Sequence, residues 1–339
     1  APTMPEPAGK VGDSFETRVR ELEERSLSPL AVRSYETKGR AQPEDSCLLR
    51  TPFQRDRDRI FHSKAFRRLA HKTQVFIDPE GDHFRTRLTH TLETTGISRG
   101  AARALRLNED LTEAIGLGHD LGHTPFGHAG ENALSAILDE KVGRSFHHNE
   151  HSLRVVDVLE RDGRGLNLTA EVRDGILNHT GENEPATLEG RIVRLVDRVA
   201  YINHDIDDAI RAGAVKKSDL PRKAIAILGD SGSRRIDTLV HDIVESSTGS
   251  DDIRQSEQVA EAMLSLREFM FERVYLSEHT RAQNERAVLV VRSLFVYLLE
   301  HPEAITEKEG REGDAVENAT DYLAGMTDRF ALTLFDRIS

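Results

Sequence analysis

Gly118-His119-Asp120-Leu121-Gly122-His123-Thr124-Pro125-Phe126-Gly127-His128-Ala129-Gly130-Glu131 places three histidines and two carboxylates within the thirteen residues from His119 to Glu131. An adjacent His-Asp pair offers one imidazole nitrogen and one carboxylate oxygen to a single ion. Such mixed donor sets suit Mn, Fe, Co, Ni, Zn or Mg. A helix over 110–120 ends at that pair, and Gly122 and Pro125 turn the chain just beyond, so both side chains can face one point. A second helix follows at 127–142. A lone His-Asp dipeptide occurs by chance. The Gly-, Pro- and His-rich continuation is what lifts this string above a polar helix end with capping histidines.

Outward from the string the helical period dominates, and the chain reads as all-α. Helices are expected at 14–26, 56–71, 88–106, 110–120, 127–142, 149–161, 169–178, 186–212, 221–228, 235–247, 255–301 (with a break) and 315–335. Residues 28–54 hold Pro29, Pro43 and Pro52 and read as an irregular connection. The strand candidate is 73–86, where TQVFI and HFRT flank DPEGD, a small β-hairpin. The stretch 303–317 carries six acids, two basic residues and two glycines and reads as a mobile loop without chemistry. The division expected is an arm and irregular segment over 1–54, a core over 55–212, and a C-terminal helical region over 213–339 packed on that core.

Composition narrows the class. The 339 residues suit one elaborated helical domain or two closely packed lobes. No apolar run approaches the ~20 residues that cross a bilayer, and the first residues, APTMPEPAGKVGDSF, read as a loose arm rather than a signal peptide. The single cysteine, Cys47, cannot form an internal disulfide and favours a reducing, cytoplasmic setting. A net charge of −12 disfavours a general nucleic-acid coat. Against that balance, 50–87 carries ten Lys/Arg and five acids, which is either a solvated basic face or an anion-binding wall.

Two ligands hold a metal weakly, so others must come from elsewhere in the chain. His90, near the start of a helix, is one candidate, although a lone helix histidine is more often structural. Asp197 is another. On its helix Ile192, Leu195, Val199, Ile202 and Ile206 form an apolar stripe. Asp197, Tyr201 and Asp205 follow one another at i, i+4 and i+8, within ~80° at ~100° per residue and roughly opposite that stripe. That polar face is either solvated or lines a cavity.

His90, then His119-Asp120, then Asp197 resemble the H…HD…D order of the HD phosphohydrolases, an all-α multi-helix fold. Arg68-Leu69-Ala70-His71-Lys72-Thr73-Gln74-Val75-Phe76, Arg87-Leu88-Thr89-His90, His119 to Glu131, Phe146 to Ser152 and Asp197 to Asp205 are similar to the motifs of its dNTP triphosphohydrolase branch, over roughly 50–212. The resemblance implies one divalent ion held by His90, His119, Asp120 and Asp197, with room for a second, Mg, carried by the substrate triphosphate. It implies that His123 and His128 face the α-phosphate and that Glu131 orients His128. A histidine with an ordinary pKa near ~6.5 suits proton delivery to a leaving ribose oxygen. Arg87, His148 and Arg198 would meet the triphosphate, and Gln74, Tyr201 and Asp205 the deoxyribose. His147 and His151 read as structural. The implied reaction is hydrolysis of a dNTP to deoxynucleoside and inorganic triphosphate, by a homo-oligomer, often a hexamer in the family, with no membrane partner.

Two other classes compete. An HD phosphodiesterase or nucleotidase would share the metal site, but nothing there requires Gln74, Arg87, Tyr201 and Asp205 together, and no Gly-Tyr-Pro string follows the His-Asp pair. A non-catalytic dNTP sensor or single-strand nucleic-acid binder would have no need of the full metal and proton-donor set, although a local groove for single strands is compatible with the charge.

Overall fold

The computed structural model describes residues 8–74, 85–275, 277–305 and 313–338. In chain order its helices are α1 (Ala8–Ser26), α2 (Pro52–Phe61), α3 (Lys64–Arg68), α4 (Arg87–Ala104), α5 (Glu109–Gly118), α6 (Gly127–Val142), α7 (His148–Arg154), the tight turn α8 (Glu160–Gly163), α9 (Ala170–Asn178), α10 (Leu188–Arg211), α11 (Arg222–Leu228), α12 (Gly232–Ser247), α13 (Glu257–Met270), α14 (Glu278–Glu300), α15 (Ala315–Ala324) and α16 (Asp328–Ile338). The described residues contain no sheet, only isolated bridges at Arg40–Thr169 and Thr73–Thr86. The hairpin expectation rests on 75–84, outside the described residues, as do Val75 and Phe76 and the middle of the acidic 303–317 stretch.

The boundaries follow local chemistry. Asn108 accepts from Leu111 N to start α5, and Thr187 accepts from Gly190 N to start α10. The expected helix over 56–71 is divided. Ser63 takes an extended backbone and caps Phe66 N, which ends α2 and begins α3. The expected helix over 149–161 widens into a π-turn at Val155–Leu159, then reverses through left-handed Arg161 and Asp162. The expected 315–335 helix stops at Ala324 and restarts at Asp328. The first helix begins at Ala8, six residues before the expected start.

Three apolar cores meet around the His-Asp string. One joins α4 and α10 to α11–α13 through residues such as Val196, Val199, Ile206, Leu239 and Leu266. A second joins α6 to α14–α16 through Leu134, Phe295 and Leu323. A third joins α2, α5 and α9 through Ile60, Ile115 and Ile176. The turn after Asp120 is clamped directly. Gly122 N donates to Ser152 Oγ at 2.8 Å, and that hydroxyl donates to His119 O at 2.7 Å. A Cβ on Gly122 would lie 2.1 Å from Ser152 N and 2.5 Å from His148 O, so α7 can dock here only against glycine.

The C-terminal helices hold the other side of the turn. Asp328 accepts from Thr73 N at 2.9 Å, Thr73 Oγ1 at 2.6 Å and Phe126 N at 3.0 Å. Buried Lys72 donates to His123 O and, at 2.8 Å, to Ala324 O. Burial pushes its ammonium down to about 7, with Asp328 pulling the other way.

Two glycines separate packing from propensity. Gly100 is exposed on α4 with nothing within 4 Å of a built Cβ, so Gly100→Ala should stabilise by ~0.5–1 kcal/mol. Gly122→Ala should destabilise by ~1–3 kcal/mol or more, because a new Cβ meets backbone. Urea midpoints of the two variants measure this, and equal shifts in the two would refute the docking argument.

Candidate metal centre and adjoining pocket

Helix α4 carries His90, the end of α5 carries His119 and Asp120, and α10 carries Asp197. His90, His119 and Asp197 each bring one ligand atom to within 4.8 Å of the others. His90 Nε2 lies 2.9 Å from Asp197 Oδ1, and His119 Nε2 lies 3.6 Å from the same oxygen and 3.7 Å from Asp120 Oδ1. His119 Nδ1 donates to Gly116 O at 2.6 Å, which leaves Nε2 directed at the cluster, buried and without a hydrogen-bond partner. That tautomer and that orphaned nitrogen are what a metal-binding histidine requires.

The charges agree. Burial alone would raise Asp120, but Arg87 and then His119 outweigh it and bring the carboxyl well below its ordinary value. Burial would likewise raise Asp197, but the imidazoles of His119 and His90 beside it bring the carboxyl well below its ordinary value. Burial alone would depress His119, but Asp120 and Asp197 raise it to about 9. The cluster thus demands positive charge, supplied either by a proton on His119 or by a cation.

Two further groups adjoin it. Asp120, His148 and His179 form one, and His123, His128 and Glu131 the other. His148 Nδ1 lies 2.9 Å from Glu131 Oε1, and its Nε2 lies 3.2 Å from His179 Nε2. His123 stacks on His148 with ring centroids 4.0 Å apart. Burial and Arg87 push His123 well below its ordinary value, so it stays neutral. His128 is half exposed and pairs with Glu131 at 3.2 Å. Burial would raise Glu131, but hydrogen bonds from His128 and His148 hold it well below the usual carboxylate range.

Arg87 joins this cluster to a further buried polar group, since it binds Asp120 and its charge acts on Tyr201 and Asp205. Its Nη1 binds Asp120 Oδ2 at 2.9 Å, yet Nε and Nη2 are buried without partners among the described residues. Unpaired guanidinium donors this deep are costly unless an anion satisfies them. That buried polar group holds Gln74, Tyr201 and Asp205. Gln74 Nε2 donates to Asp205 Oδ1 at 3.2 Å. Tyr201 lies 5.6 Å from His128, centroid to centroid. Asp205 is fully buried, and burial pushes it up to about 8, with the Tyr275 hydroxyl pulling the other way. The polar face of α10 thus turns inward at Asp205 rather than to solvent.

Arg198 stands apart from these groups. It is exposed, one residue beyond Asp197. His147 is the exposed residue before α7, and His151 lies 3.9 Å from Asp321. The arginines of the 50–87 stretch mostly face acids: Arg50 pairs with Asp58, Arg55 and Arg59 with Glu44, and Arg57 with Glu113. Of that stretch, Arg87 is the basic group that enters the cluster.

Sequence reading missed Tyr275, His179, His204 and Lys72. Tyr275 sits in a π-turn, Phe271–Tyr275, and donates to Asp205 Oδ2. His179 follows α9 as a single helix-end histidine. His204 is buried on α10. Each is a lone residue whose partners come from distant elements, so spacing carried no signal.

Comparison with known proteins places the HD domain at residues 87–202 and a phosphohydrolase-associated domain at 253–337. A deoxyguanosinetriphosphate triphosphohydrolase-like protein of Caldanaerobacter subterraneus subsp. tengcongensis is 55% identical over 94% of both chains. Proteins of the same name from Desulfatibacillum aliphaticivorans and Clostridium tetani are 45% and 44% identical, over 97% and 96% of both chains.

The raised His119 sets a pH window for chelator-treated protein. Its contribution to stability is complete below the ordinary 6.5 and is lost as pH rises through about 9. Urea unfolding between those values should show a steeper loss in wild type than in His119→Gln. Parallel slopes would contradict the charge balance assigned to the cluster.

Proposed function

Since the chain belongs to the deoxyguanosinetriphosphate triphosphohydrolase-like HD phosphohydrolases, we propose that it hydrolyses deoxynucleoside triphosphates to deoxynucleoside and inorganic triphosphate. The observation that carries this reading is the position of Arg87. Its two buried donors, without partners among the described residues, adjoin a cation-demanding cluster on one side and the buried polar group of Gln74, Tyr201 and Asp205 on the other.

His90, His119, Asp120 and Asp197 would hold the ion, and Asp120 would also anchor Arg87. A divalent ion bound there would polarise the α-phosphoryl group. Arg87 supplies donors to the phosphate chain, with His148 beside it and exposed Arg198 at the mouth. His128 is the proton donor to the leaving ribose oxygen. It faces Tyr201 on one side and ionised Glu131 on the other, whereas neutral His123 serves as an uncharged wall against the phosphate. Gln74, Tyr201 and Asp205 read the sugar. On α10, Tyr201 and Asp205 lie ~6 Å and ~12 Å along the axis from Asp197, depths suited to a deoxyribose beyond the α-phosphate. Asp205 meets the 3′-OH, and Tyr201 leaves no room for a 2′-OH.

One experiment tests both the bond and the sugar. Turnover of dNTP in ¹⁸O-water should put label in triphosphate and none in the deoxynucleoside. In the same assay kcat/KM should fall for ddNTP, which lacks the Asp205 partner, and for NTP, which clashes with Tyr201. Asp205→Asn should narrow the first gap, and Tyr201→Ala the second. Pyrophosphate or phosphate release would move the protein to another HD class, and unmoved ratios would remove α10 from sugar reading.

A further inference from the structure

One turn after His90, Glu93 reaches across to α10. Its Oε2 lies 2.9 Å from His204 Nε2, and Arg85 Nε donates to the same oxygen at 3.0 Å. His204 is buried, and its other ring nitrogen, Nδ1, lies 3.2 Å from His90 Nδ1. The two rings meet edge to face, with centroids 5.4 Å apart.

The proton positions follow from donor and acceptor rules. A carboxylate only accepts, so His204 Nε2 carries the hydrogen. A neutral imidazole then has a lone pair at Nδ1. His90 must fill the 3.2 Å contact by donating from its own Nδ1. A neutral His90 so oriented turns its Nε2 lone pair to the Asp197 oxygen, 2.9 Å away, a contact that a proton closes in the absence of a cation. Two acceptors face each other there, which is where a cation belongs. His119 reaches the same state by donating to a backbone carbonyl. His90 depends instead on two side chains.

We propose that Glu93 and His204 form a hydrogen-bonded dyad that fixes the tautomer and ring orientation of His90 and so sets the affinity of the site for a divalent cation. The dyad rests on the reading of His90 as a ligand. Glu93 and His204 are positioning residues, since neither has an atom in the ligand cluster. Arg85 holds the free end of the dyad, and Asp208 holds Arg85 at 3.4 Å.

The test is Mn²⁺ binding to chelator-treated, refilled protein, followed by the EPR signal of free Mn²⁺, with Co²⁺ absorption as a report on geometry. The variants are His90→Ala, Glu93→Ala, His204→Ala and His204→Gln, each checked for folding by circular dichroism and thermal midpoint. Glu93→Ala and His204→Ala should weaken Mn²⁺ binding by ~10–100-fold. His204→Gln should recover most of that loss, because one amide can accept from His90 and donate to Glu93. The Co²⁺ bands of the two alanine variants should shift, while a contact that only fastens α4 to α10 would lower the thermal midpoint and leave the bands in place. Glu93 is half exposed, so its variant keeps the test open if His204→Ala fails to fold. Mn²⁺ affinity within twofold of wild type in both dyad variants, with binding lost in His90→Ala, overturns the dyad and leaves the ligand reading standing. Wild-type affinity in His90→Ala overturns the ligand reading itself.

Discussion

A carboxylate 3% exposed has to be paired, and Asp120 is paired twice. One oxygen faces the imidazoles of His119 and His123, and the other binds Arg87. A lone buried charge would cost several kcal/mol, and it would take a proton instead. Asp120 therefore stays ionised only while α4, α5 and the turn after it remain in register. The same pairing leaves Arg87 with two donors unspent, so the group that neutralises Asp120 also creates a demand for an anion. On the proposed function, one side chain between them sets both the cation site and the anion site.

That register is maintained from outside the HD segment. Lys72 and Asp328 tie the turn at His123–Phe126 to the ends of α15 and α16. Phe126 itself sits in the left-handed region at φ 63°, a conformation that a phenylalanine holds only under such constraint. Tyr275, from the π-turn after α13, donates to Asp205. The phosphohydrolase-associated segment, 253–337, thus supplies contacts at both ends of the site rather than a separate platform.

Much of the fold was legible because helix starts have local causes. Thr187 and Asn108 cap α10 and α5 at the residues where the periodic pattern begins. The errors arose where a local device overrode the pattern: the Ser63 cap inside an amphipathic run, and the left-handed pair Arg161 and Asp162 inside a helical one. In the candidate site, His119 to Glu131 could be read because its donors are consecutive and broken by Gly and Pro. Asp197, Tyr201 and Asp205 could be read because helical spacing puts them on one face. His204, His179 and Tyr275 could not, because a single side chain gains meaning only from what another helix brings to it. The 50–87 basic excess left two readings open for the same reason, since many of the acids that pair it come from elsewhere, Glu44 and Glu113 among them.

The central claim is that Asp120 joins one cation to one anion through Arg87. Crystals grown with Mn²⁺ and a non-hydrolysable dNTP analogue test it most directly, by anomalous scattering at the manganese edge. The account predicts a peak bounded by His90, His119, Asp120 and Asp197, with a phosphate oxygen within hydrogen-bond distance of Arg87 Nε or Nη2. A peak seated instead among His123, His128 and Glu131, or a phosphate chain that leaves Arg87 unpaired, would contradict it.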